Sequence, residues 1–356
     1  MAHYATSLQP LLLLPLLILI LPLLTFSSRL AFDDNPLKTG FWVSLTHIDA
    51  GLKNLTKLQL IQRAIINQVK PRLEKLSAIT KNGRIDDIRA PVYAGDEEFL
   101  MNLSIGTPVV PLVAIMDTGF LSRETLTFEE QVSVPRIGFG CGVNNQVIGM
   151  NNVVGIVGLG RGTLSLVSQL GSRKFSYCFT SVGDNKSSSL LFGSLADLNV
   201  SNGAIKSTPW IRNPILPSFY YLSLEVITFG QTLLPIPKSL FQIGSNGGGG
   251  LMIDSETTVT SLQEDAFDML KQAFVAQTKL QEIKFPRLVF HFKGLDLELP
   301  AENYMILDTK LGLVCLAMRP TGRLSVFGNF QQRNMLVLHD LKKEILSFIP
   351  TKCDQL

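Results

Sequence analysis

The 356-residue chain has only four cysteines, four histidines and two tryptophans, and charged residues make up 17% of it. It holds no CxxC pair and no HExxH motif, so no metal site is indicated. Four cysteines spread over this length also exclude a small disulfide scaffold. There is no dense Lys/Arg run, and a formal net charge of +3 gives no electrostatic footprint for nucleic acid. Low charge beside 46% hydrophobic residues excludes a disordered or collagen-like protein. A dinucleotide cofactor is not indicated, because the Gly-rich stretch 155–162 lacks the G-x-G-x-x-G spacing.

The apolar residues that are present are unevenly spread. Leu11 to Leu24 form an almost pure Leu/Ile/Pro block, followed by Thr25, Ser27 and Ser28. Residues 1–28 read as a secretory signal, since the block is shorter than the roughly 20 residues of a membrane span and is broken by Pro15 and Pro22. A transmembrane anchor is the alternative reading, and the stretch Met1 to Pro10 lacks the Lys or Arg that a signal usually carries. No second stretch of spanning length follows, so the expected cleaved product is soluble, with no membrane partner. Asn54, Asn102, Asn185 and Asn199 each open an Asn-x-Ser/Thr sequon and are glycosylation candidates. Together these features point to a secreted or vacuolar protein.

Charge divides the remainder. Arg29 to Arg89 holds 11 Lys/Arg against 6 Asp/Glu, whereas Ala90 to Leu356 holds 21 against 23. In the basic part Leu58, Ile61, Ile65 and Val69 recur at helical spacing, and Pro71 closes the run. A basic, partly helical segment ahead of a globular body reads as a propeptide, residues 29–90, able to cover an acidic site. A helical subdomain that stays attached is the alternative.

From Glu98 onward the pattern is one of short β runs between Gly, Pro and Asn: Phe99–Ile105, Val132–Phe139, Leu190–Gly193, Tyr220–Thr228, Leu288–Phe292 and Leu313–Met318. Helices are few. One places Phe267, Leu270 and Phe274 on a single face behind Glu264 and Asp265, and another begins near Thr163 with Leu164, Leu166 and Leu170. The expected fold is mainly β.

Two segments of the body echo each other. Val113-Ala-Ile-Met-Asp117-Thr-Gly119 and Leu251-Met-Ile-Asp254-Ser-Glu-Thr257 are both apolar strands ending in an Asp motif. Each is followed downstream by two apolar residues and a glycine, Ile156-Val157-Gly158 and Val326-Phe327-Gly328. A single Asp at a strand end could be a turn-former bonding its own backbone. Two in matched settings suggest a duplicated lobe with both carboxylates at the junction.

On these residues the chain resembles the pepsin-type aspartic proteases, and most closely their plant nepenthesin-like branch. The resemblance runs from about Phe41 to the C-terminus. It rests on Glu98-Phe-Leu-Met-Asn-Leu-Ser-Ile-Gly-Thr-Pro108, Ile137-Gly-Phe-Gly-Cys-Gly142, Gly155-Ile-Val-Gly-Leu-Gly-Arg-Gly162 and Phe175-Ser-Tyr-Cys178. Further matches are Leu299-Pro-Ala-Glu-Asn-Tyr304, Val326-Phe-Gly-Asn-Phe-Gln-Gln332 and Ser347-Phe-Ile-Pro-Thr-Lys-Cys353. It implies a bilobal double-barrel fold, with an N-terminal lobe at 91–208 and a C-terminal lobe at 209–356. It implies peptide or protein substrates, a monomer, and no cofactor.

By the same resemblance Asp117 and Asp254 are the catalytic pair, supported by Thr118, Gly119, Ser255 and Thr257. Like charges about 3 Å apart do not both ionise readily, so such a pair shares a proton over an acidic range. One carboxylate then deprotonates a water, while its protonated partner polarises the scissile carbonyl and later protonates the leaving amine. The apparent pKa values belong to the pair.

Three departures from the family stand out. After Gly119 the family's Ser is replaced by Phe120, and the chain runs directly into Phe120-Leu-Ser-Arg-Glu-Thr-Leu-Thr-Phe128, omitting the stretch that carries a cysteine-rich insertion and the flap. A second segment is missing between Phe274 and Phe285. Glu256 takes the place of a glycine in the second Asp motif, and a carboxylate about 6 Å from the pair would contribute about 3 kcal/mol at an effective dielectric near 20. By resemblance Cys178 pairs with Cys353. The usual partners of Cys141 and Cys315 fall in the missing stretches, leaving these either orphaned thiols or small buried apolar residues. His47, His291 and His339 read as structural, since no GxSxG or comparable nucleophile context accompanies them. Two classes of function remain: a secreted aspartic endopeptidase made as a zymogen, and a non-catalytic binding member of the fold, like the plant xylanase inhibitors.

Overall fold

The computed structural model of the chain describes residues 40–47, 55–64, 99–105, 110–113, 119–128, 132–142, 155–181, 186–197, 205–278 and 285–356. Short strands dominate them. Those expected at Phe99–Ile105 and Leu288–Phe292 form over the same residues. The run Tyr220–Thr228 is divided, because Tyr220–Leu222 pairs with Leu251–Ile253 whereas Leu224–Phe229 joins a separate four-stranded sheet.

Fifteen strands make one sheet. At its middle six antiparallel strands follow in the order Lys206–Ile211, Ile345–Pro350, Met335–Asp340, Lys174–Cys178, Ser188–Phe192 and Phe41–His47. Beyond Phe41–His47 it continues through Phe99–Ile105 into the hairpin Gly119–Thr127 and Ser133–Gly142. At the opposite end it continues through Tyr220–Leu222 into Leu251–Ile253, Ser325–Phe327 and Thr260–Gln263. The second Asp motif follows Leu251–Ile253 at this end; of the first, only Val113 and Gly119 are described, both in strands at the other end. In the first, Gly119 opens a nine-residue strand directly.

The strand Phe41–His47 was not among those read from the sequence, although Phe41, Val43 and Leu45 alternate at the period of two that buries one strand face. It lies within the segment read as a propeptide, yet it pairs with Ser188–Phe192 on one side and Phe99–Ile105 on the other.

Three α-helices occur among the described residues. Helix α1, Lys57–Ala64, is opened by a reciprocal capping box: Thr56 N donates to Gln59 Oε1 at 2.8 Å, and Gln59 N donates to Thr56 Oγ1 at 3.2 Å. Its Leu60 and Ile61 are buried, and Ile61 joins an apolar cluster with Leu216, Tyr221, Met252, Ile306, Val326 and Phe330. The expected continuation at Ile65 and Val69 lies outside the described residues. Helix α2, Leu166–Gln169, is shorter than expected and starts after Ser165, which caps it, so Leu164 stays exposed. Helix α3, Glu264–Gln277, buries Leu270 and Phe274 as expected and adds Ala266, while Phe267 is only partly buried.

The main buried cluster draws side chains from the large sheet, the four-stranded sheet and helices α2 and α3. Phe327 sits at its centre, edge-on to Phe290, Phe292 and Phe348 at 5.6, 6.0 and 6.1 Å. That packing fixes the end of the strand Ser325–Phe327, from which the loop beside Asp254 departs.

Candidate active site

Asp254 follows the fully buried strand Leu251–Ile253, which pairs in parallel with Ser325–Phe327, Ile253 opposite Phe327. Asp254 N extends that ladder by donating to Phe327 O at 3.1 Å. The chain then turns tightly on the carboxylate itself. Glu256 N donates to Asp254 Oδ1 at 3.2 Å, and Thr257 Oγ1 donates to Oδ2 at 2.5 Å, so each carboxylate oxygen accepts a bond from its own loop. Asp254, Ser255 and Glu256 are half-buried, while Thr257 is fully buried.

A second loop clamps the first. Gly328 has no room for a side chain, since a Cβ there would stand 2.6 Å from Val259 C, 2.7 Å from Thr257 O and 2.8 Å from Thr260 N. Beyond it the buried turn Asn329–Gln332 spends its polar groups on the Asp254 loop. Asn329 N donates to Thr257 O at 2.7 Å, Asn329 Nδ2 to Ser255 O at 3.0 Å, and Phe330 N to Thr258 O at 2.8 Å. Gln332 Nε2 donates to both Phe327 O at 2.8 Å and Asp254 O at 3.2 Å, tying the two strand ends together. Gln331 Oε1 accepts from Thr260 N at 2.8 Å. The approach to Asp254 is fixed as well: Gly247, Gly249 and Gly250 take φ of +75°, +78° and +82° in a hydrogen-bonded turn.

The clamp reaches into the central strands. Tyr177, on Lys174–Cys178, donates its hydroxyl to Gln332 Oε1 at 2.6 Å. Burial first, then the nearby Asp254 charge, then Tyr220 push its phenol well above the ordinary tyrosine range, so it stays a neutral donor.

Of the sequence-derived site residues, Asp254, Ser255 and Thr257 are thus brought into one loop. Asp117 and Thr118 lie outside the described residues, and Gly119 is paired backbone to backbone with Gly142. Cys178 and Cys353 form a disulfide across a sequence separation of 175, fastening a central strand to the C-terminal turn. Cys315 is a half-buried free thiol packed against the cluster that holds Ile61, and the Cys141 side chain lies outside the described residues. Asn54, Asn185 and Asn199 also lie outside them, and of Asn102 only the backbone, paired with Val113, is described. The sequence reading missed Tyr177, Asn329 and Gln332 as site residues, although all three stand inside the motifs that carried the resemblance.

Two histidine side chains are described, and both pack against neighbouring residues of the fold. His291 bonds Thr228 Oγ1 through Nε2 at 2.8 Å and Asp296 Oδ1 through Nδ1 at 2.7 Å. His47 ends its strand, with its side chain outside the described residues, and His339 is buried among aromatic rings. No group of three or more His, Cys, Asp or Glu suited to a metal occurs among the described residues.

Comparison with known proteins places this arrangement. Nepenthesin-1 from Nepenthes gracilis is 38% identical over 404 aligned positions, covering 88% of this chain and 91% of its own. Nepenthesin-2 from the same plant is 35% identical, covering 88% of this chain and 90% of its own. The chain belongs to the nepenthesin-like plant aspartic proteases. Its family models are the xylanase inhibitor N-terminal domain, matched at residues 116–194, and the xylanase inhibitor C-terminal domain, matched at 219–286 and 281–350. The solved aspartic proteinase of Irpex lacteus superposes with a TM-score of 0.54 at 17% identity, covering 72% of this chain and 95% of its own. The nepenthesin-like chain thus has the bilobal fold of aspartic proteases.

The comparisons also show that this member is shorter than its relatives over the matched span. The alignment with nepenthesin-1 spans 404 positions but covers 88% of the 356-residue chain, about 313 residues, so about 90 of its positions face no residue here. The C-terminal model matches in two segments, 219–286 and 281–350, whose ends meet at 281–286, overlapping the interval Phe274–Phe285 where the resemblance implies a missing segment. The relatives being aspartic proteinases, the chain is an aspartic-type endopeptidase by family.

Proposed function

We propose that the chain is a secreted or vacuolar aspartic endopeptidase, made as a zymogen, in which Asp117 and Asp254 share a proton and activate the hydrolytic water. The observation that carries this reading is the Asp254 loop. Both of its carboxylate oxygens accept loop donors, and its backbone is held by Asn329 and Gln332 from the neighbouring strand end. Such holding keeps a reacting group in place without reorganisation as charge develops. Asp117, with Thr118 and Gly119 supporting it, is the proposed partner carboxylate.

Residues 29–90 serve as the propeptide in this reading. Two observations support it: helix α1 seats Ile61 in the cluster that includes Met252, two residues before Asp254, and Lys57 lies 5.2 Å over the ring of Phe330. The basic surplus of the segment favours an acidic cleft at neutral pH and loses that attraction as carboxylates protonate. Cleavage near Pro91 would leave Phe41–His47 inside the sheet until a competing strand or a larger rearrangement displaced it.

The test is hydrolysis of an unstructured peptide by the purified chain in acid, with and without a pepstatin-type transition-state mimic. The mimic should block hydrolysis, and Asp117→Asn or Asp254→Asn should each lower it at least about a thousandfold. Activity that survives either change, or that requires a chelatable metal, refutes the assignment. The second reading is a non-catalytic binding protein. It is favoured by the xylanase inhibitor models that match, by Gly119 leading straight into a hairpin, and by Glu256 beside Asp254. A folded chain, freed of residues 29–90 and inert across acid pH, would move the conclusion to it.

A further inference from the structure

A buried link joins the central strands to the Asp254 loop. Tyr177 stands 155 residues from Gln332 in sequence and donates to its side-chain oxygen at 2.6 Å. Gln332 turns its two amide hydrogens to Phe327 O and Asp254 O, the carbonyls that end the parallel pair Leu251–Ile253 and Ser325–Phe327. Both side chains are buried. The amide has one orientation that satisfies all three contacts, since the flipped one would set its oxygen against two carbonyl oxygens.

We propose that Tyr177 and Gln332 are positioning residues for Asp254, clamping its main-chain carbonyl from the central strands so that the carboxylate meets its water in one geometry. The inference rests on the reading of Asp254 as a reacting carboxylate. Loss of the phenol hydroxyl leaves Gln332 Oε1 buried without this donor, and the amide can then reorient and release Asp254 O. A displacement of about 1 Å at a reacting group is enough to cost up to a hundredfold in rate.

Tyr177→Phe keeps the ring and its stack on Phe179, whose centroid lies 4.6 Å away, and removes only the hydroxyl. Tyr220→Phe is the matched control, because that buried phenol donates to Leu159 O at 2.8 Å. Hydrogen exchange of the full chain, followed by mass spectrometry on peptides covering 250–260, reads the clamp whether or not the chain turns over. Tyr177→Phe should speed exchange at the Asp254–Thr258 amides about tenfold, and Tyr220→Phe should not. On an unstructured peptide in acid, Tyr177→Phe should lower kcat about tenfold with KM within about twofold. Added to Gln332→Met it should change nothing further, since both act through one contact. Should Gln332→Met fail to fold, Gln332→Glu keeps the shape and removes the same two donors. Unchanged exchange in Tyr177→Phe, equal acceleration in Tyr220→Phe, or additive effects of the pair overturn the clamp. Accelerated exchange in Tyr177→Phe, when the wild-type chain hydrolyses nothing, supports the clamp while refuting the assignment of Asp254.

Discussion

Replacing His339 with Phe should flatten the stability of the protein on the acid side. His339 lies on the strand Met335–Asp340, opposite Phe175, and is 2% exposed. Its ring stacks on Phe175 at 4.4 Å and meets the edge of Tyr220 at 4.5 Å, with Tyr177 at 5.7 Å and Trp210 at 6.1 Å. Neither ring nitrogen has a hydrogen-bond partner among the described residues. The titratable groups that surround it are the phenols of Tyr177 and Tyr220, both pushed up by burial and therefore neutral. Arg161 sits behind Trp210, 5.4 Å from that ring, and a cation there opposes a second positive charge. Burial lowers the imidazole from 6.5 to about 3.

The sign follows directly. The unfolded chain takes up this proton below about pH 6.5, the folded chain only below about pH 3, so the unfolded state binds more protons throughout that window and stability falls as pH drops through it. At about 1.4 kcal/mol per unit, the loss relative to neutral pH is about 3 kcal/mol at pH 4 and about 4 kcal/mol at pH 3, where the folded imidazole begins to take the proton too. Phe keeps the aromatic stack and takes no proton. Urea unfolding of both proteins at pH 7, 5, 4 and 3 measures the difference, with m-values checked for constancy. The variant should gain on the wild type by about 3 kcal/mol between pH 7 and pH 4. A difference that stays the same at both pH values would refute the reasoning, because whatever the substitution then did to packing, the buried imidazole would not be titrating against folding.

Three further predictions concern other parts of the fold. Replacing Cys178 and Cys353 together with Ala should cost about 5 kcal/mol in the chain-entropy model, given the separation of 175 residues that the bridge closes; urea midpoints with and without reductant would show it, and equal midpoints would contradict it. Gly328→Ala would drive a Cβ into the backbone of Thr257, Val259 and Thr260 and should destabilise by about 1–3 kcal/mol, with pepstatin-type binding weakened more than in Gly322→Ala, where nothing lies within 4 Å. Ile61→Ala should loosen α1 and speed conversion of the precursor in acid, followed by gel shift over time; conversion at the wild-type rate would show that α1 does not hold the propeptide in place.

Much of the secondary structure was legible in the sequence, because local pattern decides it. Phe99–Ile105 and Leu288–Phe292 are apolar runs bounded by turn formers, and Glu264 to Phe274 shows a helical face behind an acidic first turn. The echo between the two Asp motifs was legible too, and the family resemblance gave the pairing of Cys178 with Cys353. The sequence did not reveal that Phe41–His47 is inserted between two strands of the main sheet, or that Tyr220–Thr228 is divided between two sheets. Nor could it show His339 enclosed by Phe175, Tyr177, Trp210 and Tyr220, or Tyr177 bonded to Gln332. Local propensity acts over a few residues, whereas these contacts join residues far apart in the chain, Tyr177 and Gln332, or Phe175 and His339, by more than a hundred positions. Strand order decides them, because it sets which side chains become neighbours and which buried polar groups meet a partner.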